Sequence, residues 1–280
     1  MIINHNISAM FASRFEKIYN EASHSIVEKL SSGMRINSAK DGAAELAISE
    51  KMRSQIRGLN RASRNVEDGI SLMQVADGFL QETTDILQRI RELAVQSANE
   101  IWDDSARTYF QVEISQLVSE IDRIASQATF NNTNILTGRF NTDNPMTLHV
   151  GANMDERVSI SIGDMSATAI GLRGADGTMV DLSTADSANA TIGIVDEALS
   201  KVMKQRSDLG GFQNRLEVSV KGIDIAAENM QAAESRIRDA DYAQLVVESV
   251  RNQILTQASV STLAQSNNNS GMIVQLLNSR

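Results

Sequence analysis

Three histidines, His5, His24 and His149, are the side chains best suited to bind a metal or shuttle a proton, and they lie far apart in the chain. Only His24 has an acidic neighbour at helical spacing, Glu28. A metal centre needs three or four ligands, so these histidines read as solvated or interface side chains, and no metal or other cofactor is expected. The run Gly171-Leu172-Arg173-Gly174-Ala175-Asp176-Gly177 has no lysine and no strand–helix pattern around it, so it reads as a flexible loop and not as a phosphate cradle. No nucleophile–base pairing is legible, and no catalytic residue is expected. The chemistry most visible is electrostatic. Arg53, Arg57, Arg61 and Arg64 recur at helical spacing and form a basic stripe on one helix face. Such a stripe is either solvated, and worth little, or salt-bridged to acids of a neighbouring molecule, with Glu217, Asp224 and Glu228 as candidates. Nucleic acid is not the expected partner, because no aromatics interleave with the arginines and the net charge is −9.

The elements that carry these residues are long helices. The only proline in 280 residues is Pro145, between two stretches whose apolar residues keep helical spacing. Proline removes a backbone donor and clashes with the preceding turn, so its absence elsewhere permits very long helices. Two helical arms with one central break fold back as a hairpin, a rod-like form suited to assembly. Hydrophobic residues make up 42% of the chain but aromatics only 4%, which fits helix-on-helix packing better than an aromatic-anchored globular core. The chain has no cysteine, which rules out disulfides and thiolate metal sites. Met1-Ile2-Ile3-Asn4-His5-Asn6 has neither the basic nor the apolar region of a cleavable secretory signal. No run of about 18 apolar residues exists, so no membrane span is expected.

Ile3, Ile7, Phe11, Phe15, Ile18, Ala22, Ile26 and Leu30 form one stripe, closed by Gly33 in a left-handed cap. A polar connector to Gly42 precedes a helix from Ala43 to Arg57, weakened at Gly58. A longer helix follows from Asn65 to Ala98, about 50 Å in length. Asp104 or Ser105 caps the next, whose seam is Ile114, Leu117, Ile121, Ile124 and Ala128. Helical rhythm then stops. Met146, Leu148 and Val150 alternate, as do Val158, Ile160 and Ile162, around the turn sequence Gly151-Ala152-Asn153-Met154-Asp155; this predicts a β-hairpin packed on the helices. The second arm resumes near Asp186, with Gly210-Gly211 and Gly222 as weak points, and breaks near Asp239 to Asp241. A final helix carries Val247, Val250 and Ile254, then Ile273, Leu276 and Leu277. The expected fold is mainly α: a long antiparallel helical bundle or coiled coil with a small β-hairpin and paired terminal helices. Its expected domains are residues 1–42, 43–240 (hairpin near 146–163) and 241–280. A lone pair of terminal helices leaves much apolar surface wet, which marks an interaction site.

Several separate blocks resemble bacterial flagellins. They are Ile3-Asn4-His5-Asn6, Leu30-Ser31-Ser32-Gly33-Met34-Arg35-Ile36-Asn37, the run Leu87 to Asn99, Gln213-Asn214-Arg215-Leu216-Glu217, Glu228-Asn229, the run Ser235 to Asp241, and Leu263-Ala264-Gln265. The resemblance spans residues 1–140 and 186–277. The run Glu50 to Asn60 and Val150-Gly151-Ala152-Asn153-Met154-Asp155 are most similar to the core filament flagellins of spirochaete periplasmic flagella.

That resemblance implies a structural, non-enzymatic subunit that polymerises with itself into the flagellar filament for motility. Its terminal helices would form the inner core through Ile3, Asn4, Ile7, Phe11, Leu30, Gly33, Arg35, Asn37, Val250, Ile254, Leu263, Leu276 and Leu277. It implies export through the flagellum's own channel, with an export chaperone, cap and junction proteins and filament sheath proteins as partners, and a periplasmic filament if the chain is spirochaetal. Gln88, Arg89, Leu93 and Glu113 match residues that in some flagellins touch the vertebrate innate receptor, a surface that overlaps the polymer contact. The short central segment implies a minimal two-layer flagellin. Two departures stand out. Asp41-Gly42-Ala43-Ala44-Glu45 places glycine three residues earlier than the family's usual pattern, and Ser266-Asn267-Asn268-Asn269-Ser270 replaces an Ala/Gln-richer stretch, so the last helix is expected to fray there. The alternative reading is a hook–filament junction protein, which shares such ends. A coiled-coil signalling protein would need a membrane span or sensor domain, and the 45 residues from Asn141 to Ala185 are too few for an enzyme domain.

Overall fold

The computed structural model describes residues 5–174 and 178–278, apart from the side chains of residues 273, 274 and 276–278. Ile3, Asn4, the stretch Ala175 to Gly177, and the side chains of Ile273, Leu276 and Leu277 therefore lie outside the described residues. The elements in chain order are α1 (Ile7–Ser32), α2 (Ala39–Ser97), α3 (Asp104–Gln127), β1 (Thr129–Phe130), β2 (Thr133–Asn134), β3 (Met146–His149), β4 (Arg157–Ile160), α4 (Ala167–Ile170), α5 (Ala185–Arg238) and α6 (Tyr242–Asn278). The chain divides into two compact units. One comprises Met1–Ser54 with Glu228–Arg280, the other Gln55–Ala227.

In the second unit α2 packs antiparallel to both α3 and α5. Polar pairs mark the register of α2 against α5: Ser63 with Asp224, Asp77 with Arg206, and Arg91 with Asp196. Arg89 joins Glu113 across α2 and α3. Between these pairs the apolar stripes close on one another. Val66, Met73, Leu80, Leu87 and Ile90 of α2 meet Ile114, Val118 and Ile121 of α3 and Val195, Val202, Leu209 and Leu216 of α5, all essentially dry. Each such side chain contributes roughly 1.5–3 kcal/mol. On α3 the fully buried position is Val118, while Leu117, expected on the seam, is half-buried. The cap of α3 is Asp103, just before the two expected candidates, Asp104 and Ser105, with its carboxylate accepting from the Ala106 N–H. Arg107 closes this turn: its buried guanidinium donates to the carbonyls of Ser97 and Asn99 and pairs with Asp104.

The predicted hairpin is β3–β4, antiparallel with Met146 opposite Ile160 and His149 opposite Arg157. Met146, Leu148, Val158 and Ile160 face the helices, and the Glu156 carboxylate accepts from the backbone and side chain of Asn153 to hold the turn. A second hairpin, β1–β2, turns on Asn131 and Asn132, both at positive φ, as a tight primed turn requires. The segment that follows β4 is tied to the helices by side chains: Gln205 accepts from the Gly163 N–H, Asp122 from the Ala167 N–H, and Gln111 accepts from the Leu182 N–H while donating to the Val180 carbonyl.

The expected weak points at Gly58, Gly210-Gly211 and Gly222 are absent. α2 runs through Gly58, and its only interruption is Gly42, whose backbone is extended (φ 169°, ψ 89°). Gly58 is instead a point of close approach. A Cβ there would lie 2.9 Å from Ala152 Cβ and 3.2 Å from its Cα, and one at Gly69 would lie 2.5 Å from Leu148 Cδ2. The two glycines are about three helical turns apart, so the hairpin rests on a bare strip of α2. α5 likewise continues through Gly210, Gly211 and Gly222, carried by buried Leu209, Leu216 and Ile223 on either side. A Cβ added at Gly78, also in α2, would meet nothing within 4 Å. Gly78→Ala should therefore raise unfolding stability by about 0.5–1 kcal/mol, whereas Gly58→Ala should gain nothing or lose stability because Ala152 must move. Urea titration of both variants checks this; equal gains would mean that the hairpin does not sit against Gly58.

Candidate functional site

The first unit pairs α1 with α6 in antiparallel fashion. Asn6 caps α1 by accepting from the Ala9 N–H, and it also donates to the Ser266 carbonyl and accepts from Ser266 Oγ. Ser266 Oγ lies 2.9 Å from Ser8 Oγ as well. The polar run 266–270 is part of the helix in this structure. Its hydroxyl and carbonyl receive the start of α1, which offsets the poor helix propensity of Ser and Asn.

Small residues line much of the seam of this pair. Ala9, Ala12, Ile26, Ser249 and Ser266 are buried, whereas Ile7, Phe11, Phe15, Ile18, Val27, Val246, Val247, Val250, Ile254 and Val260 are exposed. Phe11 is 51% and Ile254 61% accessible. Single exposed apolar side chains are ordinary, but a continuous series of them along one helix pair marks a surface that meets a partner. Leu30 and Leu263 are half-buried. Phe11, Phe15, Tyr19 and Leu255 line an open groove of about 420 Å³ along the pair.

At the other end of α1 the two breaks in the helical arms meet. Gly33, in the left-handed conformation (φ 69°), ends α1, as expected. Its carbonyl accepts from the Ala240 N–H, and the Arg35 N–H donates to the Arg238 carbonyl at 2.7 Å. Arg35 then reaches the Ile237 carbonyl and Glu45, while Arg238, only 9% exposed, reaches back to Glu50 and to Met34 Sδ. Each arm thus lends the other one guanidinium. Asp241 caps α6 by accepting from the N–H groups of Ala243 and Gln244.

The connector between α1 and α2 is closed by Asp41. Its Oδ2 accepts from the N–H groups of Ser38 and Asn37 and from Ser38 Oγ, and these bonds hold its carboxyl below the ordinary carboxylate value. Asn37 Nδ2 is buried with no partner among the described residues. Glu50 is likewise lowered, chiefly by the hydrogen bond from Arg238.

The other candidates separate clearly. Arg53 pairs with Glu50, and Arg64 donates to the Asn60 carbonyl one turn back on its own helix. Arg57 and Arg61 are exposed, with no partner among the described residues. Asp224 accepts from Ser63, beside the stripe in the same chain. Gln88, Arg89 and Glu113 are exposed, with Arg89 held by Glu113 and Glu92. Leu93 departs from the expectation of a receptor contact: it is 1% exposed and belongs to the helical core, because it falls on the same α2 face as Ile90. Among the described residues no group of three His, Cys, Asp or Glu side chains could hold a metal ion, and no helix is long and apolar enough to cross a membrane. The roles of Arg238, Glu50 and the Asn6–Ser266 contact are not legible in the sequence, since their partners lie far away along the chain; only the position of Arg238 at the break before Asp239 hints at them.

The terminal halves of the chain match the models of the bacterial flagellin N-terminal helical region, over residues 3–141, and of the bacterial flagellin C-terminal helical region, over residues 192–277. The chain belongs to the bacterial flagellin family. It is 55% identical to flagellin FlaB1 of Treponema pallidum (strain Nichols) over 285 residues, covering 99% of this chain and 100% of that protein. It is 56% identical to the flagellar filament 31.3 kDa core protein of Treponema maltophilum, again over 99% of this chain and 100% of the relative. The crystal structure of Bacillus cereus flagellin aligns with 61% of this chain and 94% of its own, at 28% identity and a TM-score of 0.49.

The lowered carboxyl of Asp41 predicts a pH dependence. A folded value below the unfolded one, about 3.9, gives stabilisation that is complete above the unfolded value and lost as pH falls through the folded value. Amide protection at Asn37 and Ser38 should hold at neutral pH, persist to about pH 4 and disappear below it, and Asp41→Asn should weaken it at neutral pH. NMR of the two amides checks this; protection unchanged in Asp41→Asn would remove Asp41 from the connector's support.

Proposed function

We propose that this chain is a structural subunit of a bacterial flagellar filament and polymerises with copies of itself through α1 and α6. The observation that carries this reading is the pair of long helices joined by small residues, with Ile7, Phe11, Val250 and Ile254 left outward. A helix pair that buries so little of its apolar surface gains stability when neighbours cover it. Family membership supports a structural role and no catalytic one. In this reading residues 1–42 and 241–280 form the filament core, and residues 43–240 are a separate middle domain. Ile3, Asn4, Leu30, Leu263, Leu276 and Leu277 extend the core contact, and Gly33, Arg35 and Asn37 hold the joint below it.

The near full-length similarity to proteins named as filament core components favours a filament subunit over a hook–filament junction protein. The similarity to spirochaete proteins supports a flagellar location, periplasmic in a spirochaete, reached through the flagellar export channel with a chaperone, and finished by cap, junction and sheath proteins. Gln88, Arg89 and Glu113 remain candidates for innate-receptor contact in a depolymerised subunit, without Leu93.

Phe11→Asp combined with Ile254→Asp tests the core contact. Both side chains are exposed in the single chain, so the monomer should keep its circular dichroism and melting temperature. Burying two carboxylates in the polymer should raise the critical concentration for filament growth at least about tenfold. Filaments growing as in the wild type, by sedimentation and electron microscopy, would sink the assignment of α1 and α6 as the polymerising surface.

A further inference from the structure

The second unit carries a polar cleft where α5 meets the chain on either side of the β3–β4 hairpin. The cleft holds about 300 Å³, at the lower end of the range for small-molecule sites. Thr142, Ser161, Asp164, Lys201, Lys204 and Asp208 line it, and buried Met165 and Ile170 supply its apolar part.

Its frame is fixed within the chain. Gln205, only 9% exposed, accepts from the Gly163 N–H and reaches the Ser161 carbonyl. Lys201 donates to the carbonyls of Ala169 and Ile170 at the end of α4. The Ile162 N–H donates to the Phe140 carbonyl, and the Met165 N–H to the Leu136 carbonyl. Gly163 leaves the wall bare: a Cβ there would lie 3.2 Å from Met165 Cε and 3.3 Å from Gln205 Oε1. A cleft held in this way is formed before a ligand arrives, so little ordering cost opposes binding.

The frame leaves several polar groups over. The Thr142 and Ser161 hydroxyls, the Lys204 ammonium and the Asp208 carboxylate have no partner among the described residues. The hydroxyls donate or accept, the ammonium only donates and the carboxylate only accepts. Lys201 and Lys204 balance Asp164 and Asp208 in formal charge, so the cleft has no net attraction for an anion or a cation. An apolar ligand would strip water from these groups and give no hydrogen bond back. A neutral ring bearing many hydroxyls meets both demands. Its hydroxyls donate and accept, and its C–H face covers Met165 and Ile170.

We propose that this cleft binds a neutral mono- or disaccharide, held by Thr142, Ser161 and the Lys204–Asp208 turn of α5. The proposal goes beyond the filament-subunit reading and does not depend on it, since none of these residues belongs to α1 or α6.

Saturation-transfer difference NMR on the full chain tests it. Maltose and N,N′-diacetylchitobiose serve as neutral probes, and inorganic phosphate, followed by its phosphorus line width, serves as the anion. At least one of the two sugars should receive saturation in a saturable way, and phosphate should show no saturable broadening. Lys204→Ala combined with Asp208→Ala removes one donor and one acceptor from exposed positions, so the circular dichroism should not change. That variant should bind the same sugar at least about tenfold more weakly, as the loss of hydrogen bonds to charged groups requires. No saturable transfer to either sugar, equal affinity in the variant and the wild type, or saturable binding of phosphate alone would overturn the proposal.

Discussion

The joint between the two helical arms is the constraint on which the terminal helices depend. Two backbone hydrogen bonds and two exchanged guanidinium groups join residues 33–50 to residues 237–240. Arg238 is mostly buried, and a guanidinium in that position must be met by acceptors on all sides. Glu50 and Met34 Sδ accept from that guanidinium, and the Arg35 N–H donates to the Arg238 carbonyl, only when the two breaks lie in this register. α1 ends and α6 begins at this point, so the joint sets where one helix starts along the other. The Asn6–Ser266 contact fixes the opposite end.

Between those two polar anchors the buried seam is Ala9, Ala12 and Ser249 with one large side chain, Ile26. Small residues let the helix axes approach, but they bury little apolar area, and the larger side chains are left facing outward. The pair is therefore positioned by hydrogen bonds and left short of hydrophobic stabilisation. A filament supplies what is missing, because every added copy covers apolar surface on its neighbours. The weak surface charges gain importance in the same way: one exposed pair contributes about 0–1 kcal/mol, but the contact recurs at each subunit along the polymer.

Much of this is legible in the sequence because it depends on local rules. The three/four rhythm of apolar residues specifies the long helices, the alternation of Met146, Leu148, Val158 and Ile160 specifies the hairpin, and Gly33 is legible as a left-handed cap. What stays hidden depends on partners distant in the chain. Gly58 reads as a helix weakness, and only the hairpin turn at Ala152 explains it. Ser266 reads as a fraying point, because nothing near it in the chain announces Asn6 as its partner. Leu93 matches a surface motif, yet its helical phase with Ile90 carries it into the core. Arg57 and Arg61 are legible as a stripe, and the structure leaves both exposed.

Hydrogen exchange on α1 and α6, measured in dilute monomer and again in assembled filament, tests the central claim most directly. If the terminal pair is held by its polar ends and completed by neighbouring copies, its amides should exchange far faster in the monomer than those of α2, α3 and α5 in the second unit, and should slow by orders of magnitude on polymerisation. Protection of α1 and α6 in the monomer equal to that of the second unit, with no change in the filament, would contradict it.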